Sequence, residues 1–585
     1  MQSDRTLLLD VHAPRAEECR NALIPFAELE RSPEHLHTYR ITPLSLWNAA
    51  SAGFSAESAI NALEEFSRYD VPESVSAWIK ETANKFGRLR LIPSAQEDSG
   101  LERLYLVSGS AYVHKEISAN PAVKKFLTPC EYEAPEGSGI NVSEEESKFC
   151  FSLKLTDRGI IKQTLLQAGW PVKDEVPLTD GSPLEISLRE RTLGGKDFKV
   201  RDYQKEAARA LIGDKGPGTG FGTIVLPCGA GKTIVGMQIM SELKTNTLIV
   251  TTNISAVHQW IQELLDKTSL SPGQIAEYTG ESKSIKPVTV ATYQVLTWRP
   301  DKAGPYPHFS LFRENGWGLI IYDEVHMLPA PVFRVTAEIQ AVRRVGLTAT
   351  LVREDGCEGH VFSLVGPKRF DVPWKELERD KWIAKAECVE VRLSLPQQNQ
   401  IEYATAGSRA KHRLASENPV KERIVSELVR VFSGNKILII GQYLNQLERI
   451  SQMLGAPIIT GKTPTAERDR IYAEFRNGDM SVLVVSKVAN FAIDLPDASM
   501  AIQVSGTFGS RQEEAQRLGR ILRPKERTSR FFTLITRDTV EEDFGSNRQK
   551  FLAEQGYSYR IILYDDEHSF DELLEPLSLE SGGMT

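Results

Sequence analysis

A glycine-rich segment that ends in lysine and threonine, LPCGAGKT, occupies residues 226–233. It follows the apolar run TIV and precedes IVGMQIMSEL, so the sequence predicts a strand, a loop and a helix in that order. Glycines let backbone N–H groups turn toward phosphate oxygens, and a helix amino terminus adds partial positive charge. We therefore expect Lys232 to neutralise the β- and γ-phosphates of ATP and Thr233 to hold Mg²⁺. The other loop residues expected around the phosphates are Pro227, Cys228, Gly229, Ala230 and Gly231.

This loop departs from the strict phosphate-binding pattern at its first position. The pattern has glycine where this chain has Leu226. Taken alone, the segment could also be a glycine turn with a chance GKT. Its position between a predicted strand and a predicted helix favours nucleotide binding.

Two adjacent carboxylates, Asp323 and Glu324, follow the apolar run LIIY. They are expected at the carboxyl end of a buried strand, which is where open α/β sheets bind ligands. Asp323 would then coordinate Mg²⁺, and Glu324 would polarise the attacking water as a general base. Adjacent carboxylates are also common on solvated loops, but the apolar run before them and His326 after them favour the catalytic interpretation.

Other polar side chains in the same half of the chain could complete a nucleotide site. Gln204, in VRDYQKEAARAL, can read the adenine edge through its amide, and Arg201 lies in the same motif. The alternative for Gln204 is a surface position on an amphipathic helix. Thr348 and Thr350 end a further predicted strand, where their hydroxyls could link the carboxylates to a nucleic-acid site or cap a helix.

An arginine-rich segment, QEEAQRLGRILR, lies much later in the chain, at residues 512–523. On a helix, Gln516, Arg520 and Arg523 fall three to four residues apart and share one face. Guanidinium groups brought to a γ-phosphate from a second domain stabilise the transition state of phosphoryl transfer. A solvated helix face is the alternative, but the phosphate loop upstream favours a composite site that closes on ATP.

Tandem α/β lobes are the elements that would position these groups. From Thr223 onward, apolar, β-branched runs alternate with helix-length segments: TIVLP, TLIVTT, VTVAT, LIIYDE and RVGLTAT. Such runs are typical of strands buried on both faces of a parallel sheet. The same pattern resumes with KILIIGQ, APIITG, SVLVVSK, MAIQVSG and FFTLIT, which predicts a second lobe.

The gross properties of the chain agree with a multidomain globular protein. At 585 residues it exceeds what one hydrophobic core usually organises, and three or four domains are expected. A net charge of −8 confines any nucleic-acid surface to a local groove. The six cysteines are scattered without a CxxC pair, so neither a zinc site nor a disulfide framework is expected. The start MQSDRTLLLDVHAP predicts no export signal, and no apolar stretch predicts a membrane span.

The amino-terminal third mixes strand-like and helical pieces and shows no catalytic pattern. Strands are predicted at Thr6–Val11, Arg88–Ile92 and Arg103–Val107, and a helix is predicted at Ser55–Tyr69. The polar, acidic stretch Glu131–Lys148 has the composition of a linker, which predicts a separate short unit after it.

Taken together, these motifs resemble one family, the XPB (xeroderma pigmentosum group B) helicases of helicase superfamily 2. The resemblance is carried in order by VRDYQ, VLPCGAGKT, ATYQVL, YDEVHMLPAPVFR, GLTATLVREDG, LVGPKRF, SKVANFAIDLP, GSRQEEAQRLGRILR and RQKFLAEQGYSYR. It implies ATP- and Mg²⁺-dependent opening of, or movement along, duplex DNA, usually 3′ to 5′, in DNA repair. The absence of a nuclear localisation cluster favours a prokaryotic member, hence a cytoplasmic, nucleoid-associated protein with no membrane partner.

The resemblance also assigns roles to individual residues. Gln204 matches the Q motif, Lys232 and Thr233 match motif I, and Asp323, Glu324 and His326 match motif II. Coupling roles are implied for His326, Thr348, Thr350 (motif III) and Asp494 (motif V). Gln516, Arg520 and Arg523 match motif VI, and Arg353, Glu354 and Asp355 match the RED element, which is thought to help open the duplex.

The fold implied is α/β, with two tandem RecA-like P-loop lobes preceded by an α+β amino-terminal domain and a small damage-recognition-like domain. The expected limits are 1–130 for the amino-terminal domain, 149–190 for the damage-recognition-like domain, 195–375 for lobe 1, 392–420 for a thumb-like segment and 421–565 for lobe 2.

Loops at strand ends supply further candidates for contact with a DNA backbone, whether duplex, forked or single-stranded. A plain turn or helix cap is the alternative for each of them. The candidates are Thr252, Asn253, Thr292, Tyr293, Ser486 and Lys487.

Two function classes remain open at this point. The first is a helicase or duplex translocase. The second is an ATP-gated DNA-docking subunit that recruits a nuclease or repair factor without processive unwinding. An RNA helicase is a third, less favoured possibility, because the RED element and QEEAQRLGR resemble those of DNA enzymes.

Overall fold

The computed structural model describes residues 4–10, 12–23, 25–31, 36–93, 103–132, 142–154, 157–214, 219–227, 229–301, 306–313, 315–328, 332, 336, 342–349, 358–372, 374–486, 498–506, 528–545, 557 and 559–564. The chain divides into two compact units. Unit 1 comprises Met1–Glu30, Leu36–Leu226 and Gly231–Asp371, and unit 2 comprises Arg31–His35, Pro227–Ala230 and Val372–Thr585.

Unit 1 begins with a small three-stranded sheet and several helices. Strands β1 (Thr6–Asp10) and β3 (Leu36–Arg40) pair antiparallel, and β2 (Glu28–Arg31) adds to β3. The predicted helix at 55–69 is confirmed as Ala56–Phe66, because Ser55 caps it by accepting from the Ser58 amide. The other helices here are Ala16–Leu23, Pro43–Ser51 and Glu73–Ala83.

A five-stranded sheet follows, in the order β6-β7-β5-β4-β8. Its core contains the leucines of β4 and β5 together with apolar side chains of the helix Arg158–Gln167. The strands are β4 (Leu89–Pro93), β5 (Arg103–Ser108), β6 (Thr128–Cys130), β7 (Cys150–Lys154) and β8 (Val172–Asp174), and the other helices are Ala111–Ala119, Pro121–Lys124 and Glu144–Ser147.

This sheet corrects the domain boundary expected at residues 131–148. Strand β7 pairs with β5 and β6, and β8 pairs with β4, so strands from both sides of the boundary share one sheet. Residues 179–188 instead form bridges with Val342, Thr245 and Thr268 of lobe 1. The expected unit at 149–190 is therefore divided between two structures, because backbone pairing, which composition does not reveal, joins its strands to earlier ones.

Lobe 1 contains a seven-stranded parallel sheet in the order β11-β12-β10-β13-β14-β9-β15. All five strands predicted from apolar runs are present. These strands are buried along most of their length, as expected for a parallel sheet covered by helices on both faces. The strands are β9 (Phe221–Val225), β10 (Thr247–Thr251), β11 (Ile275–Tyr278), β12 (Val288–Thr292), β13 (Leu319–Asp323), β14 (Arg343–Thr348) and β15 (Lys368–Asp371).

Helices join these strands. The main ones are Asp202–Ile212, Lys232–Leu243 and Ile254–Lys267. Shorter helical turns are Tyr293–Thr297, Pro307–Arg313, Val325–Met327, Glu358–His360 and Val361–Val365.

Lobe 2 repeats the plan with a second seven-stranded parallel sheet, in the order β18-β19-β17-β20-β21-β16-β22. Each of the two sheets is the centre of one RecA-like lobe, as the sequence predicts. The strands are β16 (Ala386–Leu393), β17 (Ile437–Gly441), β18 (Ile458–Ile459), β19 (Val482–Ser486), β20 (Met500–Gln503), β21 (Ser529–Thr536) and β22 (Tyr559–Tyr564), and the helices are Trp374–Arg379, Gln397–Thr405, Ser408–Ser416, Val420–Val431, Leu444–Leu454 and Thr465–Asn477.

The start of lobe 2 lies earlier than the expected residue 421. Strand β16 pairs with β21 and β22 and so belongs to this sheet. The thumb-like segment expected at 392–420 holds the helices Gln397–Thr405 and Ser408–Ser416, and it is an insertion within lobe 2. The first of these helices has no buried residue, so it stands away from the lobe's core.

No helix among the described residues is both long and apolar enough to cross a membrane.

Candidate nucleotide site

The parallel register of lobe 1 brings the candidate residues to one edge of the sheet. Thr251 lies opposite Thr292, Asp323 opposite Leu347, and Thr348 opposite Val225. The strands β12, β10, β13 and β14, together with β9, which precedes the phosphate loop, therefore end at the same edge of the sheet. The Leu226 amide donates to the Thr348 carbonyl at 2.9 Å, which extends this pairing into the loop. The edge is the carboxyl end of the sheet, as expected for a ligand site.

The phosphate loop has the backbone that its glycines permit. Gly229 and Gly231 have φ values of 82° and 81°, in the left-handed region that favours glycine. The helix Lys232–Leu243 begins directly after Gly231. A Cβ on Gly231 would lie 2.5 Å from Gln204 Nε2, so glycine is also required by a close neighbour.

Gln204 is buried, which excludes the alternative of a surface glutamine. Its Oε1 accepts from the Arg201 amide at 3.0 Å, so the side chain turns back over the first turn of the helix Asp202–Ile212. Arg201 in turn donates from Nη1 to the Tyr203 hydroxyl at 3.1 Å. Gln204 therefore lies against the phosphate loop, where an adenine-reading amide is expected.

Glu324 faces the loop lysine. The Lys232 ammonium lies 3.5 Å from Glu324 Oε1, and both side chains are mostly buried. Glu324 has φ 50° and ψ 54°, a left-handed conformation that is costly for a residue with a side chain and is found mainly at functional sites. Its second oxygen, Oε2, is buried and accepts no hydrogen bond from the described residues. One oxygen of the expected general base thus remains available for a ligand or water.

Asp323 is held by donors from neighbouring elements. Its Oδ2 accepts from the Thr251 hydroxyl at 3.1 Å and from the Trp260 indole N–H at 2.9 Å. The Tyr293 hydroxyl donates to its main-chain carbonyl at 2.9 Å. Burial, followed by the charge of Glu324, raises the pKa of Asp323, whereas the two donors and the Lys232 charge lower it. These contacts orient a carboxylate that burial alone would make easier to protonate.

Sequence reasoning missed the roles of Thr251 and Trp260. The Trp260 ring packs so closely on the helix Lys232–Leu243 that a Cβ on Gly236 would lie 2.7 Å from its Cη2. A glycine inside a helix is unfavourable by itself, and here it makes room for the indole. The sequence does show both a helix-interior Gly236 and a tryptophan that needs a partner for its N–H, but neither identifies Asp323 as that partner.

His326 and Thr348 form a direct link at the strand ends. His326 Nδ1 and Thr348 Oγ1 are 2.7 Å apart, and both side chains are buried. His326 Nδ1 also lies 3.4 Å from Glu324 Oε2. Thr348 therefore connects the end of β14 to the acidic motif.

Two of the residues proposed to contact DNA have other tasks in the structure. The Thr292 hydroxyl accepts from the Val295 amide and caps the helix Tyr293–Thr297, and Tyr293 holds Asp323. Their side chains are only 2% and 4% exposed, so we remove both from the DNA-contact set.

The other candidates differ in exposure. Thr252 and Asn253 are partly exposed, and Asn253 caps the helix Ile254–Lys267 by accepting from the Ala256 amide at 2.9 Å. Ser486 ends β19 with a buried hydroxyl that has no hydrogen-bond partner among the described residues. Ten predicted site residues lie outside the described residues: Cys228, Thr350, Arg353, Glu354, Asp355, Lys487, Asp494, Gln516, Arg520 and Arg523.

The residues of this edge fit a magnesium nucleotide. Left-handed glycines open the loop backbone, and Lys232 supplies a cation. Thr233 lies in the first turn of the helix, and the carboxylate of Asp323 is already oriented. The Glu324 oxygen without a donor is suited to a water in the same space. Oxygen donors of this kind are the ligands that Mg²⁺ prefers.

The fold and the site thus define a P-loop nucleotide hydrolase with two RecA-like lobes, the architecture of a superfamily 2 helicase. Residues 377–575 match the family "ERCC3/RAD25/XPB C-terminal helicase", residues 197–353 match "Type III restriction enzyme, res subunit", and residues 1–129 match "Helicase conserved C-terminal domain". The chain belongs to the XPB family of helicases.

Relatives support this assignment over almost the whole chain. A "DNA 3'-5' helicase XPB" of Kineococcus radiotolerans is 49% identical over 97% of this chain and 96% of its own length. The Mycobacterium tuberculosis protein of the same name is 47% identical over 97% of this chain and 98% of its own length. The Saccharomyces cerevisiae "General transcription and DNA repair factor IIH helicase/translocase subunit XPB/SSL2" is 30% identical over 96% of this chain and 71% of its own length.

Proposed function

We propose that this chain is an ATP-dependent DNA helicase or translocase that opens or tracks along duplex DNA, 3′ to 5′, in DNA repair. Family membership and the printed names of the bacterial relatives support the DNA substrate and the polarity. The observation that carries the ATPase assignment is the convergence of Lys232, Glu324 and the oriented Asp323 at one sheet edge. The cytoplasm, in association with the nucleoid, is the proposed location.

Each residue at this edge has a distinct task in the proposed hydrolysis. Lys232 and the loop amides hold the β- and γ-phosphates, and Thr233 and Asp323 hold the metal. Bound Mg²⁺ supplies charge neutralisation at the phosphate oxygens. Glu324 orients the attacking water and accepts its proton through the oxygen that has no donor among the described residues. The Trp260 and Thr251 donors hold Asp323 in place and oppose the rise in its pKa that burial causes.

Coupling to DNA is proposed to begin at the link between His326 and Thr348. This contact joins the acidic motif to the end of β14, which precedes Arg353, Glu354 and Asp355 in the sequence. By the family resemblance, Asp494 and Thr350 take part in the same coupling. Gln516, Arg520 and Arg523 belong to motif VI, in which the two arginines supply positive charge. The helices of the segment 392–420 are the proposed thumb.

The test of this proposal is the ATPase rate of the full chain with single-stranded, duplex and forked DNA, and with RNA. We expect DNA to stimulate hydrolysis, RNA to stimulate it far less, and Glu324→Gln to abolish hydrolysis while ATP still binds. A rate that duplex and forked DNA leave unchanged, in a protein that Glu324→Gln still inactivates, would overturn the DNA half of the proposal. Strand displacement on substrates with 3′ or 5′ overhangs then reports polarity.

A second candidate is an ATP-gated docking subunit that recruits a nuclease or repair factor. It is favoured by the two amino-terminal sheets, which form an ordered, non-catalytic part of unit 1, and by the yeast relative's name as a subunit of a larger factor. Strand-displacement and triplex-displacement assays separate the two candidates. Failure in both assays, with DNA-stimulated ATPase retained and a nuclease co-purifying, would favour the docking subunit.

A further inference from the structure

Strand pairing in the five-stranded sheet brings two cysteines to opposite positions. The strands β6 and β7 run antiparallel, and in their register Cys130 lies opposite Cys150. Directly opposed residues of such strands point to the same face of the sheet, with Cα atoms about 4.5 or 5.5 Å apart. A disulfide spans Cα separations of about 4.4–6.8 Å, so a bond between the two sulfurs fits this pairing. Both thiols are free in the structure.

The two thiols differ in exposure. Cys150 is buried in a small apolar cluster with Ile92, Val107 and Tyr132. Cys130 packs against this cluster and is partly exposed. Its strand, β6, lies at one end of the sheet order β6-β7-β5-β4-β8. A small reagent that arrives from solvent therefore meets Cys130 before Cys150.

A hydrogen bond between the two sulfurs makes Cys130 the more acidic thiol. The Cys150 thiol donates to the Cys130 sulfur, which lowers the pKa of Cys130 and raises the pKa of Cys150. Burial raises the pKa of both thiols, whereas the hydroxyl and amide of Ser152 lower that of Cys130 further. The thiolate is the reactive form of cysteine. The partly exposed member of the pair is thus the nucleophile, and the buried member keeps its proton beside it.

We propose that Cys130 and Cys150 are a redox modification site, at which a hydroperoxide converts the two thiols into a reversible disulfide. The site is separate from the nucleotide edge, because β6 and β7 belong to the five-stranded sheet and the phosphate loop belongs to lobe 1. The spacing of the two cysteines in the sequence gives no sign of it, since only the register of the strands brings them together.

The oxidation proceeds in two balanced steps with hydrogen peroxide. The Cys130 thiolate attacks one peroxide oxygen, the O–O bond breaks, and the departing hydroxide takes up the proton that Cys130 had released. Cys130 is then a sulfenic acid. The Cys150 sulfur attacks the Cys130 sulfur, so the S–S bond forms, the S–O bond breaks, and the Cys150 proton leaves with the hydroxide as water. The two thiols lose two electrons, and the peroxide is reduced to water.

The disulfide fixes the edge strand β6 to the rest of the sheet. In the reduced chain, β6 and β7 are joined by three opposed residue pairs. The bond closes the chain between Cys130 and Cys150 into a covalent loop, which restricts the unfolded state. A dithiol reductant opens the loop again by thiol–disulfide exchange.

The test treats the reduced full chain with hydrogen peroxide under native conditions. Remaining thiols are blocked with N-ethylmaleimide, and unreduced peptides are analysed by mass spectrometry. We expect a pair of peptides joined through Cys130 and Cys150, and its disappearance after dithiothreitol. Disulfide-linked dimers on a non-reducing gel, in place of this internal cross-link, would refute the site.

Cys19 is the internal reference for reactivity. It is also partly exposed, but burial raises the pKa of its thiol. We expect Cys19 to react several-fold more slowly than the cross-link forms. A Cys130 that reacts no faster than Cys19, or that accumulates sulfenic or sulfinic acid without the cross-link, would overturn the proposal.

Variants then separate the two roles. Cys150→Ala removes the thiol opposite Cys130, so the Cys130 sulfenic acid should persist and be trapped by dimedone. Cys130→Ser should leave Cys150 reduced at the same peroxide dose, because the buried thiol loses the group that reacts first. Cys19→Ser is the matched control and forms the cross-link at an unchanged rate.

The assignment stays decisive should Cys150→Ala fail to fold. Cys130→Ser alters only a partly exposed position, and oxidation of Cys150 at an undiminished rate in that variant would contradict the proposed nucleophile. Urea unfolding of the oxidised and reduced chains gives a further readout. The midpoint for unit 1 should rise on oxidation in the unaltered chain and stay constant in Cys130→Ser. Equal midpoints in the unaltered chain would show that the bond does not fix β6.

Discussion

The indole N–H of Trp260 donates to Asp323 Oδ2 at 2.9 Å, and this bond connects the helix Ile254–Lys267 to the acidic motif at the end of β13. The same indole fills the space that Gly236 leaves on the helix of the phosphate loop. A single side chain thus positions the proposed metal ligand and sets the approach of two helices.

Replacing Trp260 by phenylalanine keeps an aromatic ring against Gly236 but removes the donor. We expect Mg²⁺ affinity or activity to fall about tenfold, in the range found when a partner of a metal ligand is removed. The measurement is the ATPase rate as a function of magnesium concentration. Trp298→Phe, at an exposed tryptophan, is the matched control. An unchanged magnesium dependence would show that the indole serves packing alone.

Gly231→Ala is expected to weaken ATP binding strongly. The added Cβ lies 2.5 Å from Gln204 Nε2, and the residue has φ +81°, so both contact and strain oppose the change. Gly53→Ala is a close control, because Gly53 has φ +85° and nothing within 4 Å of its Cβ. The measurement is the affinity of each variant for a fluorescent ATP analogue. We expect Gly231→Ala to lose affinity and Gly53→Ala to keep it. An equal loss in both variants would mean that backbone strain, and not the contact with Gln204, weakens binding.

Thr348→Val removes the hydroxyl that contacts His326 and preserves side-chain shape. We expect basal ATPase activity to be nearly retained and its stimulation by duplex DNA to fall several-fold, because the acidic motif loses its link to β14. Thr289→Val, which alters a hydroxyl bonded only locally to Lys286, is the control. Equal loss of basal and stimulated rates would assign the contact to folding instead of coupling.

Lobe 2 contains a buried ion pair whose loss should be costly. Lys421 Nζ donates to both Glu541 oxygens at 2.8 Å and to Val504 O at 2.9 Å, and both side chains are at most 1% exposed. Lys421→Met leaves Glu541 charged and buried, which is expected to destabilise the lobe by about 3–5 kcal/mol.

Urea unfolding followed through the lobe 2 transition measures this change, since a chain of several domains need not unfold in one step. Arg430→Met, at an exposed pair with Glu427, is expected to change stability by less than about 0.5 kcal/mol. Adding Glu541→Leu to Lys421→Met should restore part of the loss, and no restoration would argue against an uncompensated charge as its cause.

Lys162 predicts how stability depends on pH. Its pKa is lowered to about 7 by burial in the folded chain, whereas an unfolded lysine titrates near 10.5. Between these values the unfolded chain binds more protons, so the free energy of unfolding should rise with pH by a few kcal/mol, to order of magnitude. Below about pH 7 the full penalty of the charged lysine applies.

The measurement is denaturant unfolding of unit 1 at several pH values in chloride buffers, compared with Lys162→Met. The variant should lose most of the rise while keeping the Arg158–Asp174 pair. Identical pH profiles of the two proteins would contradict the assignment.

Apolar runs predicted the central strands of both sheets well, because a strand buried on both faces leaves a continuous hydrophobic segment. They missed the edge or near-edge strands β11, β15, β16 and β22. Charged residues such as Arg369, Glu390 and Arg560 interrupt the pattern in the last three of these. The strand pairing contradicts the domain boundary predicted at 131–148. The polar composition of that segment carries no information about which strands pair on either side of it.

The sequence by itself determined the class of chemistry, because a phosphate loop and a pair of carboxylates after an apolar run are local patterns fixed by spacing. It also determined the family, because the family's motifs are recognised from the sequence without knowledge of any contact in the structure. Only the tertiary structure decided that Trp260 and Thr251 orient Asp323, that Tyr293 supports the site, and that Arg158 and Lys162 share the buried carboxylate of Asp174. These relationships join residues far apart in the chain, and parallel register and side-chain packing, which have no local signature, bring them together.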